Sequence, residues 1–183
     1  HLIAATTAGK HIFCEKPMAI DGPGVRKVLK AAAIAKRNNK SLVCGFCWRY
    51  NLPNRATFAE IHNGRIGAIR AIYSTYLTAP IWTRKGKEDW TDVDWQLRNW
   101  PHFTYFGGDH IVEQAVHSID KMAWAMNGEL PVRAVAVGGR IKRGDEPERG
   151  NVYDHFGVTY EYASGARGFH SCRQITGCWG DNT

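Results

Sequence analysis

Polar and apolar positions along this chain follow two rhythms, one of helical spacing and one of strict alternation. His1-Leu2-Ile3-Ala4-Ala5 opens within a small and apolar pattern that reads as the middle of a helix. Lys10-His11-Ile12-Phe13-Cys14 reads as a short buried strand ended by Glu15-Lys16-Pro17. Asp21-Gly22-Pro23-Gly24 supplies a helix start, because Asp is a capping type and Pro is tolerated in a first turn. The helix predicted from there runs to about Asn38, with Val25, Val28, Leu29 and Ala32 as its apolar stripe, and Asn38-Asn39 stops it. Ser41 to Cys47 is the next strand. Strand, helix and strand at this spacing form a parallel βαβ unit, hence an α/β architecture.

Beyond Arg49 the pattern changes. A helix is predicted over Asn54–Asn63, closed by Gly64. Ala68–Thr78 alternates, with Ile69, Ala71 and Tyr73 on one face, as a half-exposed strand does. Pro80 to Phe106 reads as a long aromatic loop. Asp109–Met126 reads as one helix, with Val112, Ala115, Val116, Ile119 and Ala123 at helical spacing and Asn127-Gly128 and Pro131 as stop signals. Three alternating segments follow, Val132–Arg140, Val152–Tyr162 and Ala166–Gln174, the last two joined by a tight turn at Ala163-Ser164-Gly165. Alternation with hairpin turns predicts an antiparallel sheet with one face covered by the helix.

Composition narrows the class. The 183 residues suffice for one ordinary domain or two partial ones, and 44% apolar residues are enough for a buried core. No apolar run reaches the roughly 18–20 residues of a membrane span, so no membrane partner is expected. A chain that opens at His1 in mid-helix reads as a fragment. Its compartment, cytoplasmic or exported, is then not legible, because a targeting signal would lie upstream. The net charge of +7 raises the question of nucleic acid. The densest basic stretch, Arg26 to Lys40, surrounds the apolar stripe of a helix and reads as its solvated face, so no nucleic-acid partner is expected. Five scattered cysteines do not make a disulfide framework. Cys44-Gly45-Phe46-Cys47 has redox spacing but ends a strand rather than opening a helix. Cys172 and Cys178 do not complete a zinc set with it, so no metal is expected.

Three groups of residues can carry chemistry. Glu15-Lys16-Pro17 follows a parallel strand, at the edge where ligands of open α/β sheets bind, and Lys16 there could present a cation to a cofactor ribose or a reacting hydroxyl. An ordinary surface loop is the plainer alternative. Glu113 and His117 are four apart, on one predicted helix face that also borders Asp120, and a buried carboxylate and imidazole suit general acid/base work. Half a metal site or a satisfied polar pair would look the same. Trp82, Trp90, Trp95 and Trp100 lie among charged residues in the aromatic loop, where flat rings suit the C–H faces of a pyranose or simply pack the loop.

Taken in order, these pieces resemble the glucose–fructose oxidoreductase / inositol dehydrogenase / rhizopine-catabolism (Gfo/Idh/MocA) family. The matching segments are Ala8-Gly9-Lys10-His11-Ile12-Phe13-Cys14-Glu15-Lys16-Pro17, then Gly45-Phe46 with Arg49-Tyr50-Asn51 and Pro53, then Gly64-Arg65-Ile66-Gly67, then Gly107 to Asp120. The resemblance implies the C-terminal part of a Rossmann nucleotide-binding domain over residues 1–48. Residues 49–183 would be a truncated substrate-binding α/β domain with an open, mostly antiparallel sheet. It implies NAD or NADP as cofactor, held by Glu15, Lys16 and Pro17, and Lys16, Glu113 and His117 as the catalytic set. It also implies a carbohydrate, polyol or cyclitol substrate, contacted by Arg49, Tyr50, Trp82, Trp100 and Asp120, and a homo-oligomer joined through the open face of the C-terminal sheet. The family helix carries Asp-x-x-x-His; Glu113 departs from it by one methylene, which puts simple dehydrogenase regiochemistry in doubt. An NAD-dependent glycosidase or lyase on the same scaffold, or a non-catalytic sugar-binding or assembly subunit, are the alternatives. No Gly-x-Gly-x-x-Gly opens a strand–helix turn here, Gly22-Pro23-Gly24 lying in another context, so about a hundred upstream residues are expected.

Overall fold

The computed structural model describes residues 1–144 and 150–183. The chain divides into two compact units, His1–Cys47 and Trp48–Thr183.

The first unit holds helix α1 (Leu2–Thr7), strand β1 (Ile12–Cys14), helix α2 (Gly22–Arg37) and strand β2 (Leu42–Cys44). The strands are parallel, with Cys14 opposite Cys44. Helix α2 begins where expected, the Asp21 side chain accepting from Gly24 N–H at 2.6 Å. Its buried face differs from the predicted stripe. Ala31 and Ala35 are buried while Val25 and Leu29 are exposed. The strands are also shorter than the apolar runs. Cys47 falls instead in a 3₁₀ turn, Cys47–Tyr50.

The second unit is a four-stranded sheet with helices on one face. Strands β3 (Ala71–Thr78), β4 (Arg133–Gly139), β5 (His155–Glu161) and β6 (Arg167–Gln174) lie in the order β3-β6-β5-β4. The β4–β5 and β5–β6 pairs are antiparallel, and β3 pairs with β6 in parallel, so the sheet is mixed and mostly antiparallel. The predicted hairpin turn is present: Gly165 takes φ +88° and its N–H donates to Tyr162 O. Helix α3 (Leu52–His62), capped by Asn51, precedes the sheet.

Two expectations are corrected. The aromatic loop is not structureless: it contains helix α4 (Asp92–Arg98), a 3₁₀ turn Trp100–His102 and helix α5 (Thr104–Gly107). Thr91 and Asp94 form a capping box that nucleates α4. The single helix over Asp109–Met126 is two, α6 (His110–Glu113) and α7 (Val116–Ala125). At the break, His110 O accepts from both Gln114 N–H and Ala115 N–H at 2.9 Å, a widened turn, and the next bond, His117 N–H to Gln114 O, is the tighter three-residue type.

Helix α7 covers the sheet face that carries Ser74, Gly168 and His170. Ser118 Oγ donates to Thr75 O at 2.7 Å, and Met122 packs directly over Gly168, where a Cβ would collide with Met122 Cε. The opposite face is open. Tyr73 and Phe169 stack there at 4.9 Å, and Val135 and Val137 on β4 are exposed.

Candidate active site

In the first unit, parallel strands point their carboxyl ends the same way, so Glu15-Lys16-Pro17 and Gly45-Phe46 meet at one edge. Gly45 N–H donates to Cys14 O at 2.9 Å. A Cβ at Gly45 would meet only the Glu15 carboxylate, the movable end of an exposed side chain. Lys16 precedes a cis peptide to Pro17 and is half-buried, and Glu15 is exposed. A half-exposed cation beside a close backbone approach, at the carboxyl edge of parallel strands, fits the ribose end of a dinucleotide.

In the second unit, Asp109 begins α6 with φ +77° and ψ 164°, a conformation costly to any residue with a Cβ, roughly 1–3 kcal/mol. Its carboxylate is held by His110 N–H at 2.7 Å and Tyr153 N–H at 2.9 Å. That anchorage sets Glu113 at the end of α6, buried, and His117 one turn past the break, half-buried. The two are therefore separated by the break and are not related by a continuous helical repeat. Gln114 in the break turns the other way, its Oε1 accepting from Gln174 Nε2 at 2.8 Å.

The proposed substrate contacts have varied surroundings. Arg49 and Asp120 bind each other bidentately, Nε to Oδ2 at 2.7 Å and Nη2 to Oδ1 at 2.8 Å. Arg49 also lies over Trp124 at 5.4 Å. Tyr50 is exposed. Trp82 is exposed under the Arg84 guanidinium. Trp100 is half-buried and packs at Gly107.

A cavity of about 650 Å³ lies within this unit, lined by Thr83, Trp95, His102, Lys142, Arg143 and Gln174 among others. Its wall is a hydrogen-bonded relay. His102 Nε2 lies 3.1 Å from Trp82 O, which can only accept, so Nε2 carries the proton. His102 Nδ1 then accepts from Arg143 Nη1 at 3.0 Å, and Arg143 Nη2 donates to Gln174 Oε1. Burial pushes the His102 pKa down, against the bond to Trp82 and with the Arg143 charge, which agrees with a neutral imidazole. The turn that carries Lys142 and Arg143 is pinned from beneath by Asp154. Its fully buried carboxylate accepts the N–H groups of Ile141, Lys142 and Arg143 at 2.7–3.1 Å and His155 Nδ1 at 2.7 Å. Those bonds hold its pKa far below the usual carboxylate range although burial opposes them.

Sequence reasoning did not select His102, Arg143, Asp154 or Gln174. Asp154 and Gln174 carried one signal: each is polar at an inward position of an alternating strand pattern. His102 carried none. Among the described residues no cluster of three metal-binding side chains occurs, and no helix is long and apolar enough to cross a membrane.

The second unit is thus a mixed sheet backed by a broken helix that carries a carboxylate, Glu113, and an imidazole, His117. The GFO/IDH/MocA C-terminal domain model matches residues 55–180, and the chain belongs to the Gfo/Idh/MocA family. It is 26% identical over 129 residues to an inositol 2-dehydrogenase of Pseudomonas savastanoi pv. phaseolicola, covering 70% of this chain and 32% of that protein. It is 29% identical over 150 residues to the 1-carboxy-3-chloro-3,4-dihydroxycyclohexa-1,5-diene dehydrogenase of Comamonas testosteroni, covering 81% and 33%. The structure of GenD2 from gentamicin A biosynthesis, solved in complex with NAD, superposes with TM-score 0.74 at 17% identity over 98% of this chain and 45% of that one. The chain thus spans about a third of the length of these curated relatives.

Proposed function

We propose that this chain is part of a nicotinamide-dependent oxidoreductase acting on a sugar, polyol or cyclitol C–OH, with NAD or NADP as cofactor. The observation that carries the reading is the pair Glu113 and His117, a carboxylate and an imidazole flanking the one break between α6 and α7. Residues 1–48 would complete the nucleotide-binding domain and residues 49–183 would hold the substrate. When bound, the nicotinamide supplies the hydride acceptor. His117 would take the hydroxyl proton as the carbinol carbon is oxidised to the carbonyl, with Glu113 orienting the hydroxyl, and in the first unit Lys16 would supply a cation at the cofactor ribose. Glu15 and Pro17 hold Lys16 at the ribose, and Trp82, Trp100, Tyr50 and the Arg49–Asp120 pair border the substrate. Initial rates of cofactor reduction across cyclitols and aldoses test this in the enzyme that contains the chain. His117→Asn should lower kcat by about a hundredfold or more, and unchanged turnover would assign His117 to structure.

A second substrate class is favoured by one feature. Lys142 and Arg143 both border the cavity, on a turn held by buried Asp154. The Comamonas relative's name describes a carboxylated cyclic diol, and a carboxylate is what paired cations recognise. The open sheet face, with Tyr73, Phe169, Val135 and Val137 on it, suits pairing with a second copy of the protein.

A further inference from the structure

His117, Asp120, Lys121 and Trp124 recur on α7 at the spacing that places residues on one helix face. Two consecutive residues of the 3₁₀ turn Cys47–Tyr50 engage that face. The Trp48 ring stacks on the His117 imidazole, with centroids 5.5 Å apart and planes 28° apart. One helical turn further on, the Lys121 ammonium lies 3.7 Å from the Trp48 ring centroid. Next in the chain, Arg49 binds Asp120 bidentately and lies over Trp124.

This grip is rigid for identifiable reasons. Asp120 is largely buried, with 10% of its side chain exposed, so its bond to Arg49 is poorly exchanged for water. The Trp48 carbonyl accepts from Asn54 Nδ2 at 3.3 Å, tying the turn to α3. Lys121 is held from its other side by Asn182 O at 2.9 Å. Burial lowers the Lys121 pKa, with Asp181 acting in the opposite sense. A partly desolvated ammonium binds an aromatic face more strongly than a hydrated one. The ring is thus fixed at its backbone, at its neighbour Arg49 and at Lys121, and it presents a fixed wall to the imidazole.

We infer that Trp48 is a positioning residue for His117, holding the imidazole in the orientation that proton abstraction requires. The inference rests on the proposed role of His117. A general base works only within hydrogen-bond reach and correct direction of the proton it takes, and an imidazole at the half-exposed surface of a helix has several rotamers to choose from. The stack restricts that choice through the face of the ring.

The test has a readout in this chain and one in the enzyme that contains it. In NMR spectra of the 183-residue chain, the His117 Hε1 resonance is identified by its loss in His117→Asn. It should lie upfield of a free imidazole because of the Trp48 ring current. Trp48→Phe should keep most of that displacement and Trp48→Leu should remove it. In the enzyme, Trp48→Leu should lower kcat by roughly tenfold to a hundredfold, the scale of a misaligned catalytic group. KM should stay within about twofold, and Trp48→Phe should recover most of the loss. If His117→Asn is inactive while Trp48→Leu turns over normally, the positioning role is wrong and the catalytic reading stands. If His117→Asn turns over normally, the catalytic reading itself is wrong. A His117 resonance indifferent to the Leu substitution overturns the contact, and folding of each variant is checked by its far-UV circular dichroism.

Discussion

The imidazole of His170 lies on the helix-covered face of the sheet with 1% of its surface exposed, its Nδ1 2.8 Å from Ser74 Oγ. Its Nε2 is buried and has no hydrogen-bond partner among the described residues. Desolvation, and secondarily the charge of neighbouring His110, pushes its pKa down to about 4 from the ordinary 6.5. In the unfolded chain it titrates near the ordinary value of about 6.5. Above that pH both states are neutral and His170 contributes no pH dependence. As pH falls from about 6.5 to about 4, the unfolded state takes up a proton that the folded state refuses, so stability is lost over that window. The difference of about 2.5 units corresponds to roughly 3 kcal/mol in total, of which about 2 kcal/mol falls between about pH 7.5 and 5. His102, whose pKa is also lowered by burial, adds in the same direction. Asp154 does not contribute in this window, because a depressed carboxylate loses its stabilisation only below its unfolded value of about 4. Urea unfolding followed by tryptophan fluorescence at a series of pH values measures the effect. His170→Gln keeps a polar side chain without the titration. The wild type should lose about 2 kcal/mol more than this variant between about pH 7.5 and 5. Parallel pH curves for the two proteins, or an NMR midpoint for His170 near its ordinary value, would refute the reasoning.

Asp154→Asn replaces an acceptor of four hydrogen bonds by a group with one amide N–H₂ facing donors. Stability should fall by about 2–3 kcal/mol, read from the same urea transitions. Gly168→Ala sets a methyl against Met122 Cε and should cost about 1–3 kcal/mol. Adding Met122→Ala should recover part of this if the collision is the cause. Val137→Lys on the open sheet face should abolish self-association while leaving the far-UV circular dichroism unchanged, as sedimentation equilibrium would record; an unaltered mass distribution would remove this face as the interface.

Local sequence determined much of the frame. Asp21 with Pro23 starts α2 because a carboxylate satisfies orphan N–H groups and proline lacks the one that would be wasted. Ala163-Ser164-Gly165 turns the chain because glycine alone takes φ +88° without penalty. Alternation over β5 and β6 marks which face is buried. Glu15-Lys16-Pro17, Gly45-Phe46 and the segment from Gly107 to Asp120 carry the family resemblance, each piece being contiguous. Tertiary structure decided the rest. Every residue from His110 to Met126 tolerates a helix, so nothing local announces the break between Glu113 and His117; it is set by Ala115 packing into the core and Gln114 reaching Gln174. The parallel pairing of β3 with β6 joins segments almost a hundred residues apart, across which alternation carries no information about direction. His102, Arg143 and Gln174 form one wall, and Trp48 meets His117, only after the chain closes. Backbone preferences act over a few neighbouring residues, whereas these partners are chosen by hydrogen-bond and packing energies that exist only once distant segments share the same solvent-free space.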